Sequence, residues 1–259
     1  MHGPLPDREA LRVTGADAVP LLQSLVTANV ERLAVGQATH AALLTPQGKV
    51  LSAFFLWREA GGVLIDAAPG DRDALMARLK LYKLRAAVEI VPAPEVAWVG
   101  ENGAAAAPPD PRLAEMGTRW MAPLGEGEGD ARDAYAVRRI GMGLPEFGVD
   151  YGPSEVFAMD ANLDALGAVD YKKGCFVGQE VASRMYRKGE VRKRTWTVES
   201  EAPLKKGTTV TAGGGTLGTV TSAHGGRGLA LLRVDRAAVA TEKPQADGVP
   251  VRLSPPAYL

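Results

Sequence analysis

The sequence predicts an α+β protein followed by a small β-barrel. The first 190 residues alternate strand-like and helix-like segments and include a hairpin, an order typical of α+β folds rather than doubly wound sheets. From residue 191 onward, short β-type runs are separated by glycine-rich turns, which is the pattern of a small barrel or sandwich. A chain of 259 residues is also long for one hydrophobic core, so we expect two or three subdomains.

Hydrophobic periodicity and turn residues define the elements of the first region. In chain order the predicted elements are a strand at 10–13, a helix at 17–26, a hairpin of strands at 38–45 and 50–57, a strand at 63–67, a helix at 71–83, strands at 87–91 and 96–99, and helices at 131–143 and 179–187. The stretches 103–111 and 125–129 are rich in glycine or proline and are predicted to be loops.

The first helix and the hairpin carry clear local signals. Leu22 and Leu25 lie on one apolar face of the helix, and Asp17 occupies the N-cap position. In the hairpin, Pro46 fixes one backbone angle and Gly48 supplies the positive φ that a tight turn needs.

Five short β-type runs make up the second region. They lie at 194–200, 208–212, 216–222, 228–233 and 249–253, with glycine-rich turns between them. Because the texture of the sequence changes just before these runs, we predict one domain over 1–190 and a second over 191–259.

Composition limits the location and the partners. Lys and Arg together number 30, as do Asp and Glu, so the net charge indicates neither nucleic acid nor a membrane. One cysteine rules out an intramolecular disulfide and is typical of a reducing compartment. No signal peptide and no long apolar run is evident, so we expect a cytoplasmic protein outside the membrane. The three histidines are scattered, which argues against a dedicated metal site.

The most distinctive stretch is Lys173–Glu180, hereafter the signature, which reads Lys-Gly-Cys-Phe-Val-Gly-Gln-Glu. It holds the only cysteine, Cys175, between Gly174 and Gly178 and just before a predicted helix. A helix N-terminus and nearby cations favour the thiolate form, which is the nucleophile and metal ligand. A lone cysteine is also commonly a small buried hydrophobe, so both interpretations stay open on chemistry alone. The two glycines are expected to serve the backbone geometry.

The stretch from Lys172 to Arg194 is strongly basic. It contains eight Lys and Arg residues against two acids, Glu180 and Glu190, in a chain whose formal charge is zero. Such a local field indicates an anionic partner, for which a polyglutamylated cofactor tail, a phosphate group and RNA are candidates. The alternative is a solvated helix face followed by a basic strand.

The signature resembles that of the YgfZ family of folate-binding proteins, relatives of the glycine-cleavage T-protein, which is an aminomethyltransferase. After a short helix it is followed by Arg192-Lys193-Arg194, and further similar segments lie at 15–25, 42–51, 143–146, 162–164 and 228–233. The resemblance spans essentially the whole chain. It implies two intertwined ferredoxin-like α+β units around a central folate cavity, with a C-terminal β-barrel.

The resemblance also implies a function. Members of the family support the assembly, maintenance or repair of iron–sulfur proteins in a tetrahydrofolate-dependent way, with the signature cysteine as the key residue. We therefore expect tetrahydrofolate, with or without a polyglutamate tail, as cofactor, client iron–sulfur proteins as partners, and a monomer. Cys175 would bind iron transiently, exchange thiols with a client or accept a one-carbon unit, without a permanent metal, because clusters normally take four thiolates. Lys173 would hold the thiolate or a ligand carboxylate.

Two departures from the T-protein argue against aminomethyl transfer. Ser52 and Ala53 stand where the T-protein carries acids, and neither side chain can act as a general base. A further carboxylate is replaced within 139–141. A folate-dependent one-carbon transferase of the aminomethyltransferase type is therefore the alternative function and not the preferred one.

Four residues are predicted to contact folate by the resemblance: Asp160, Asn162, Gln179 and Arg184. Asp160 aligns with an acidic element of the T-protein, and a carboxylate suits the adjacent N–H donors of the pterin edge. In the simpler alternatives, Asp160 caps a loop, and Arg184 pairs with Glu180 one helical turn earlier.

A tRNA-binding or tRNA-modification module is the second alternative function. The basic run 184–194 would contact the phosphates, but only Tyr186 and Trp196 are available nearby for base stacking. RNA-recognition modules usually carry more aromatic residues, so nucleic acid is not the expected partner.

Overall fold

The computed structural model describes residues 1–101, 107–189 and 191–259. Among these residues the strands are β1 (Gly3–Leu5), β2 (Glu9–Thr14), β3 (Ala38–Leu44), β4 (Val50–Glu59), β5 (Gly62–Ala67), β6 (Glu89–Ala93), β7 (Glu95–Gly100), β8 (Thr118–Pro123), β9 (Lys193–Ser200), β10 (Thr209–Ala212), β11 (Gly215–His224), β12 (Arg227–Arg233), β13 (Gln245–Ala246) and β14 (Val249–Ser254). The helices are α1 (Ala18–Leu25), α2 (Arg72–Lys83), α3 (Arg132–Gly141), α4 (Gln179–Lys188) and α5 (Val234–Ala237), with a 3₁₀ turn over Ala114–Met116.

The larger sheet has five antiparallel strands in the order β3-β4-β5-β2-β6. Side chains alternate between its faces, and Phe54 and Leu56 of β4 join the core that Leu22 of α1 and Leu75 of α2 complete. Ala53 and Phe55 point to the opposite face, toward the interior of the molecule. The sheet therefore buries both faces, one against helices and one against the second unit.

The smaller sheet has three antiparallel strands in the order β1-β7-β8. The chain begins in this sheet, passes to the five-stranded sheet for β2–β6, and then returns for β7 and β8. Leu5, Val99 and Tyr135 of α3 share its core. This crossing of the chain confirms the predicted intertwined α+β arrangement.

The C-terminal strands form a closed barrel in the order β10-β11-β12-β9-β14-β13, which confirms the predicted barrel. Its core includes the fully buried side chains of Val198, Val210 and Leu232. Within the described ranges, no helix is long and apolar enough to cross a lipid bilayer.

Several elements differ from the sequence prediction. Strands β1, β8 and β13 were not predicted, because β1 and β13 are only three and two residues long and β8 lacks regular alternation. Strand β6 begins two residues later than expected and contains Pro92, which is tolerated because β6 is an edge strand. Asp17 occupies the predicted N-cap position of α1, but its side chain makes no capping bond; its carboxylate accepts a hydrogen bond from the Ala87 N–H at 2.7 Å.

Two predicted boundaries fall partly on residues that the structure does not describe. Of the predicted loop 103–111, residues 103–106 lie outside the described residues, whereas Pro109 forms a bridge with Thr118 and Asp110 is buried. Glu190, at the predicted domain boundary, also lies outside the described residues, and β9 begins at Lys193. The division into 1–190 and 191–259 stays a prediction.

Candidate functional site

The loop that carries Cys175 is anchored on its N-terminal side by Lys173. The Lys173 ammonium donates hydrogen bonds to the carbonyl oxygens of Val26 and Ala28, each at 2.6 Å, and lies 5.5 Å from the centre of the Phe176 ring. Burial lowers the pKa of Lys173 to about 8, and the nearby carboxylate of Asp170 partly opposes this shift. The ammonium is therefore directed to the backbone after α1, and its predicted role beside the thiolate stays a prediction.

The loop is anchored on its C-terminal side by Phe176 and Gly178. Phe176 is 7% exposed and packs in a core with Leu44 and Ala182. Gly178 has a φ of 78°, and a Cβ there would lie 2.4 Å from the Thr45 carbonyl oxygen. The glycine is thus required both for its conformation and for close contact with the β3–β4 turn.

Between these anchors the thiol of Cys175 is exposed. Gly174 precedes it with a φ of 100°, and nothing lies within 4 Å of where its Cβ would be. The loop therefore holds Cys175 in open space while its neighbours on both sides are fixed to the protein. This exposure argues against the interpretation of Cys175 as a buried hydrophobe.

Helix α4, which follows the loop of Cys175 in the chain, presents a basic and aromatic surface. Arg184, Arg187 and Lys188 are exposed, and the ring of Tyr186 stacks on that of Tyr171 with centroids 4.0 Å apart. The helix begins after Gly178 and ends at Gly189, whose φ of 66° is typical of a helix C-terminus.

The other signature residues occupy the first turn of α4. Gln179 is half-buried at the first position, and Glu180 is exposed beside it, where an acid suits the helix dipole. Glu180 and Arg184 both lie within the described residues and form no ion pair, so the simple helical pair is absent. The predicted folate contacts of Gln179 and Arg184 stay predictions.

A cavity of about 450 Å³, hereafter the outer cavity, lies where the β3–β4 turn, α4 and the barrel meet. Its lining includes Lys49, Phe157, Asp160, Lys188, Arg192 and Lys193. Among the described residues, Lys49, Lys188, Arg192 and Lys193 pair with no carboxylate, whereas Arg233, which also lines the cavity, pairs with Asp235 at 2.6 Å. Asp160 and the basic run were predicted from the sequence, whereas Lys49, at the end of the β3–β4 turn, was not.

Asp160 is the buried acid of this cavity, whereas Glu155, which also lines it, is exposed. Its side chain accepts a hydrogen bond from the Phe157 N–H at 3.0 Å, and the residue is 8% exposed. Burial raises the pKa of Asp160, while the Phe157 bond and the charge of Lys193 oppose the shift. Asp160 therefore caps its own loop, as the simpler alternative expected, and its side chain also lines the outer cavity.

Asn162 connects the first region to the barrel. Its side-chain amide donates hydrogen bonds to the Thr195 carbonyl oxygen at 2.8 Å and to the Tyr258 hydroxyl at 3.0 Å. It is fully buried and has a φ of 57°. Both amide hydrogens are therefore used within the protein, and the predicted contact of Asn162 with folate stays a prediction from resemblance.

The interior between the two α+β units is filled by buried ion pairs. Arg8 contacts the carboxylates of Asp66 and Glu146, and Arg119 contacts Asp66 from the other side at 2.5 Å. Arg139 contacts both Glu146 and Asp150. The remaining void is about 10 Å³, enough for about one water molecule, so a pterin ring does not fit there. This network was not predicted from the sequence, although Asp66 within an otherwise apolar strand is a signal of a buried charge.

Ser52 and Ala53, which stand where the T-protein carries acids, lie on opposite faces of the five-stranded sheet. Ala53 lines the void together with His40 and Phe55. Ser52 lies on the helix-covered side of the sheet, where its hydroxyl donates a hydrogen bond to the Asp71 carboxylate. Neither position offers a carboxylate to a ligand in the interior, which agrees with the sequence argument against aminomethyl transfer.

The fold and the barrel define the general class of this protein. Residues 192–259 match the family model described as the CAF17 C-terminal beta-barrel domain. The crystal structure of the glycine cleavage system aminomethyltransferase T from Bartonella henselae is similar, with a TM-score of 0.80 over 99% of this chain and 85% of that chain. At 17% identity this likeness establishes a shared T-protein fold and nothing about activity.

Curated relatives give the family. The mitochondrial iron–sulfur cluster assembly factor IBA57 of Homo sapiens is 32% identical, with 88% of this chain and 76% of the relative covered. The Mus musculus protein of the same name is 30% identical with the same coverage, and the Mycosarcoma maydis homolog is 30% identical over 73% of this chain and 55% of its own length. The chain belongs to the IBA57 family of iron–sulfur cluster assembly factors, which confirms the predicted YgfZ and T-protein relationship.

The predicted cytoplasmic location is wrong, because these relatives are named as mitochondrial proteins. The prediction was based on a single cysteine and on the absence of an apolar leader. Such features report on the redox environment and on secretion, and they do not distinguish one reducing compartment from another.

Proposed function

We propose that this protein supports the assembly of iron–sulfur proteins through the thiol of Cys175 and binds tetrahydrofolate in the outer cavity. The observation that carries the first part is the exposed thiol between two fixed anchors. Lys173 is bonded to two backbone carbonyls, and Phe176 is buried on the other side. A loop held in this way presents the sulfur to a partner with little loss of conformational entropy on binding.

Cys175 supplies one ligand and leaves the others to its partners. A cluster normally takes four thiolates, and this chain has one cysteine. The remaining ligands would come from a client protein or from glutathione. An exposed thiol suits this sharing, since a buried one could not reach a second molecule.

Anaerobic reconstitution tests the role of the thiol. Wild-type protein incubated with ferrous iron, sulfide and glutathione should acquire visible absorption that co-elutes with the protein. The Cys175→Ser variant should not, because a hydroxyl is a poor ligand for iron. Lys172→Ala is the matched control, since Lys172 is an exposed neighbour on the same loop. Equal absorption by Cys175→Ser would refute this role.

The outer cavity has the size and the chemistry that a folate needs. Its volume of about 450 Å³ lies in the range of small-molecule sites. Asp160 would accept hydrogen bonds from the pterin edge, and Lys49, Lys188 and Arg192 would contact the glutamate carboxylates. Bound tetrahydrofolate would supply a carrier for a one-carbon unit. The protein's part is to orient the carrier and to balance its charge.

Calorimetric titration with tetrahydrofolate tests the cavity. Asp160→Asn should weaken binding about ten-fold, because a carboxylate that accepts two N–H bonds is replaced by an amide. Glu155→Gln is the matched control, since Glu155 lines the same cavity but is exposed to solvent, whereas Asp160 is buried. Equal affinities for wild type and Asp160→Asn would contradict the proposed site.

A further inference from the structure

Residues 26–29, hereafter the post-α1 segment, are hydrogen-bonded to the chain just before Cys175. The Thr27 hydroxyl donates a hydrogen bond to the Ala168 carbonyl oxygen at 2.6 Å, and the Asp170 N–H donates one to the Thr27 carbonyl oxygen at 2.9 Å. Thr27 is fully buried. These bonds are therefore protected from water, where competition would weaken them.

The post-α1 segment is itself fixed to strand β3. The Thr27 N–H donates a hydrogen bond to the Ala42 carbonyl oxygen at 2.9 Å, and the Ala42 N–H donates one to the Thr27 hydroxyl at 2.8 Å. Val26 forms a β-bridge with Leu43. On the other side of the thiol, Gly178 packs on the β3–β4 turn. Both sides of the loop are therefore placed relative to the same hairpin.

Asp170 joins the post-α1 segment to the loop through its carboxylate. One oxygen accepts a hydrogen bond from the Asn29 side-chain amide at 3.1 Å, and the other accepts one from the Lys172 N–H at 2.8 Å. Burial opposes the charged form, but these two bonds and the charges of Arg32 and Lys173 hold the pKa of Asp170 below its ordinary value. Asp170 is therefore a carboxylate at neutral pH, and both of its oxygens are engaged.

We propose that Asp170 is a positioning residue for Cys175, which fixes the loop on the post-α1 segment and thereby sets where the thiol meets a partner. This inference rests on the proposed role of Cys175 as an iron ligand. Asp170 acts through the Lys172 backbone and not on the sulfur itself. A loop that is already fixed loses less conformational entropy when its thiol joins a shared cluster, so the cluster is retained for longer.

The first arm of the test measures cluster retention. Wild type and variants are reconstituted anaerobically with ferrous iron, sulfide and glutathione, and the decay of visible absorption is followed in excess glutathione. Asp170→Asn should decay about ten-fold faster, because its amide presents a donor where the carboxylate accepts a bond. Asn29→Ala removes one donor without a change of charge and should decay about three-fold faster. Glu31→Gln is the charge-matched control, since Glu31 is exposed and its charge also acts on Lys173.

The second arm uses the proteins without iron and separates positioning from general stability and from electrostatics. Backbone hydrogen exchange, measured by mass spectrometry, should accelerate about ten-fold over residues 171–177 in Asp170→Asn and stay unchanged in the barrel. The pH dependence of Cys175 alkylation by iodoacetamide should be the same in Asp170→Asn as in Glu31→Gln, because the thiol is exposed and Asp170 acts on its position.

The contrary outcomes are distinguishable. Equal cluster decay in wild type and Asp170→Asn would overturn the positioning role and leave the role of Cys175 intact. Faster exchange throughout Asp170→Asn would overturn it in favour of a general loss of stability. A pH dependence of alkylation that differs between Asp170→Asn and Glu31→Gln would assign Asp170 a direct electrostatic effect on the thiol instead. Failure of wild type to acquire visible absorption would overturn the role of Cys175 and this inference together.

Discussion

Gly178 and Gly174 have different structural roles although both belong to the signature. Both have positive φ, at 78° and 100°. A Cβ on Gly178 would lie 2.4 Å from the Thr45 carbonyl oxygen and 2.9 Å from the Leu44 Cβ, whereas Gly174 faces open space. Gly178 therefore combines a conformational requirement with close packing, and Gly174 has only the first.

This difference predicts unequal effects of alanine. We expect Gly178→Ala to lower the free energy of unfolding by about 3 kcal/mol, through both backbone strain and steric overlap. Gly174→Ala should lower it by about 1 kcal/mol, through backbone strain alone. Equilibrium urea denaturation of the two variants measures both values. Equal losses would show that the contact with the β3–β4 turn is unimportant.

The sequence predicted which single residues are important but not which partners they contact. The importance of Cys175 follows from its rarity and its motif, and the structure adds that the thiol is exposed. The partners of Lys173 could not be predicted, because Val26 and Ala28 lie 147 and 145 residues away in the chain. A motif indicates which residues matter, whereas the contacts of a long side chain depend on the tertiary fold.

At the level of elements, the three basic residues at the start of β9 have two different structural roles. Arg192 and Lys193 line the outer cavity, whereas Arg194 turns inward and binds the Asp164 carboxylate through two bonds of 2.6 and 2.8 Å. Arg194 also donates a hydrogen bond to the Met159 carbonyl oxygen. Together with the bonds of Asn162, this pair fastens the barrel to the first region. Sequence alone grouped the three basic residues as one patch.

Arg194 should therefore contribute to stability and Arg192 should not. We expect Arg194→Ala to lower the free energy of unfolding by about 2 kcal/mol, because it leaves the largely buried Asp164 carboxylate without its partner. Because Arg192 is exposed, Arg192→Ala should change the free energy of unfolding by less than about 0.5 kcal/mol. Thermal and urea unfolding monitored by circular dichroism provide the comparison. A loss in Arg192→Ala as large as that in Arg194→Ala would contradict this division.

At the level of the whole molecule, the buried ion network joins the two α+β units. It brings together Arg8, Asp66, Arg119 and Glu146, which lie far apart in the chain. His40 is buried beside this network and stacks on Phe55 at 4.9 Å. Burial and the charge of Arg112 lower the pKa of His40 to about 3 from an ordinary value of 6.5.

The shifted pKa of His40 predicts a loss of stability in acid. Between about pH 6.5 and pH 3 the unfolded chain binds a proton on His40 and the folded protein does not, so stability falls as the pH falls. The contribution between pH 7 and pH 5 should be about 2 kcal/mol. In His40→Phe this part of the pH dependence should disappear. Parallel stability profiles of the two proteins across this pH range would be the contrary result.

The overall architecture could be predicted because the resemblance extends along the whole chain and the strand and helix patterns agree with it. The interior could not be predicted, because the ion pairs join distant segments and the sequence does not specify which charges meet. The same limit applies to the cofactor. A central folate cavity follows from the resemblance, but large side chains such as Arg8 and Phe55 leave a void of only about 10 Å³ there. The outer cavity instead depends on how α4 and the barrel meet.

The most direct test of the central claim is complementation of a strain that lacks its own member of this family, read as the activity of iron–sulfur enzymes in cell extracts. Wild-type protein and the Lys172→Ala control should restore this activity. Cys175→Ser should fail to restore it while it accumulates to the same level and unfolds at the same temperature as wild type, because Cys175 is exposed and contributes little to packing. Full restoration by Cys175→Ser would contradict the account.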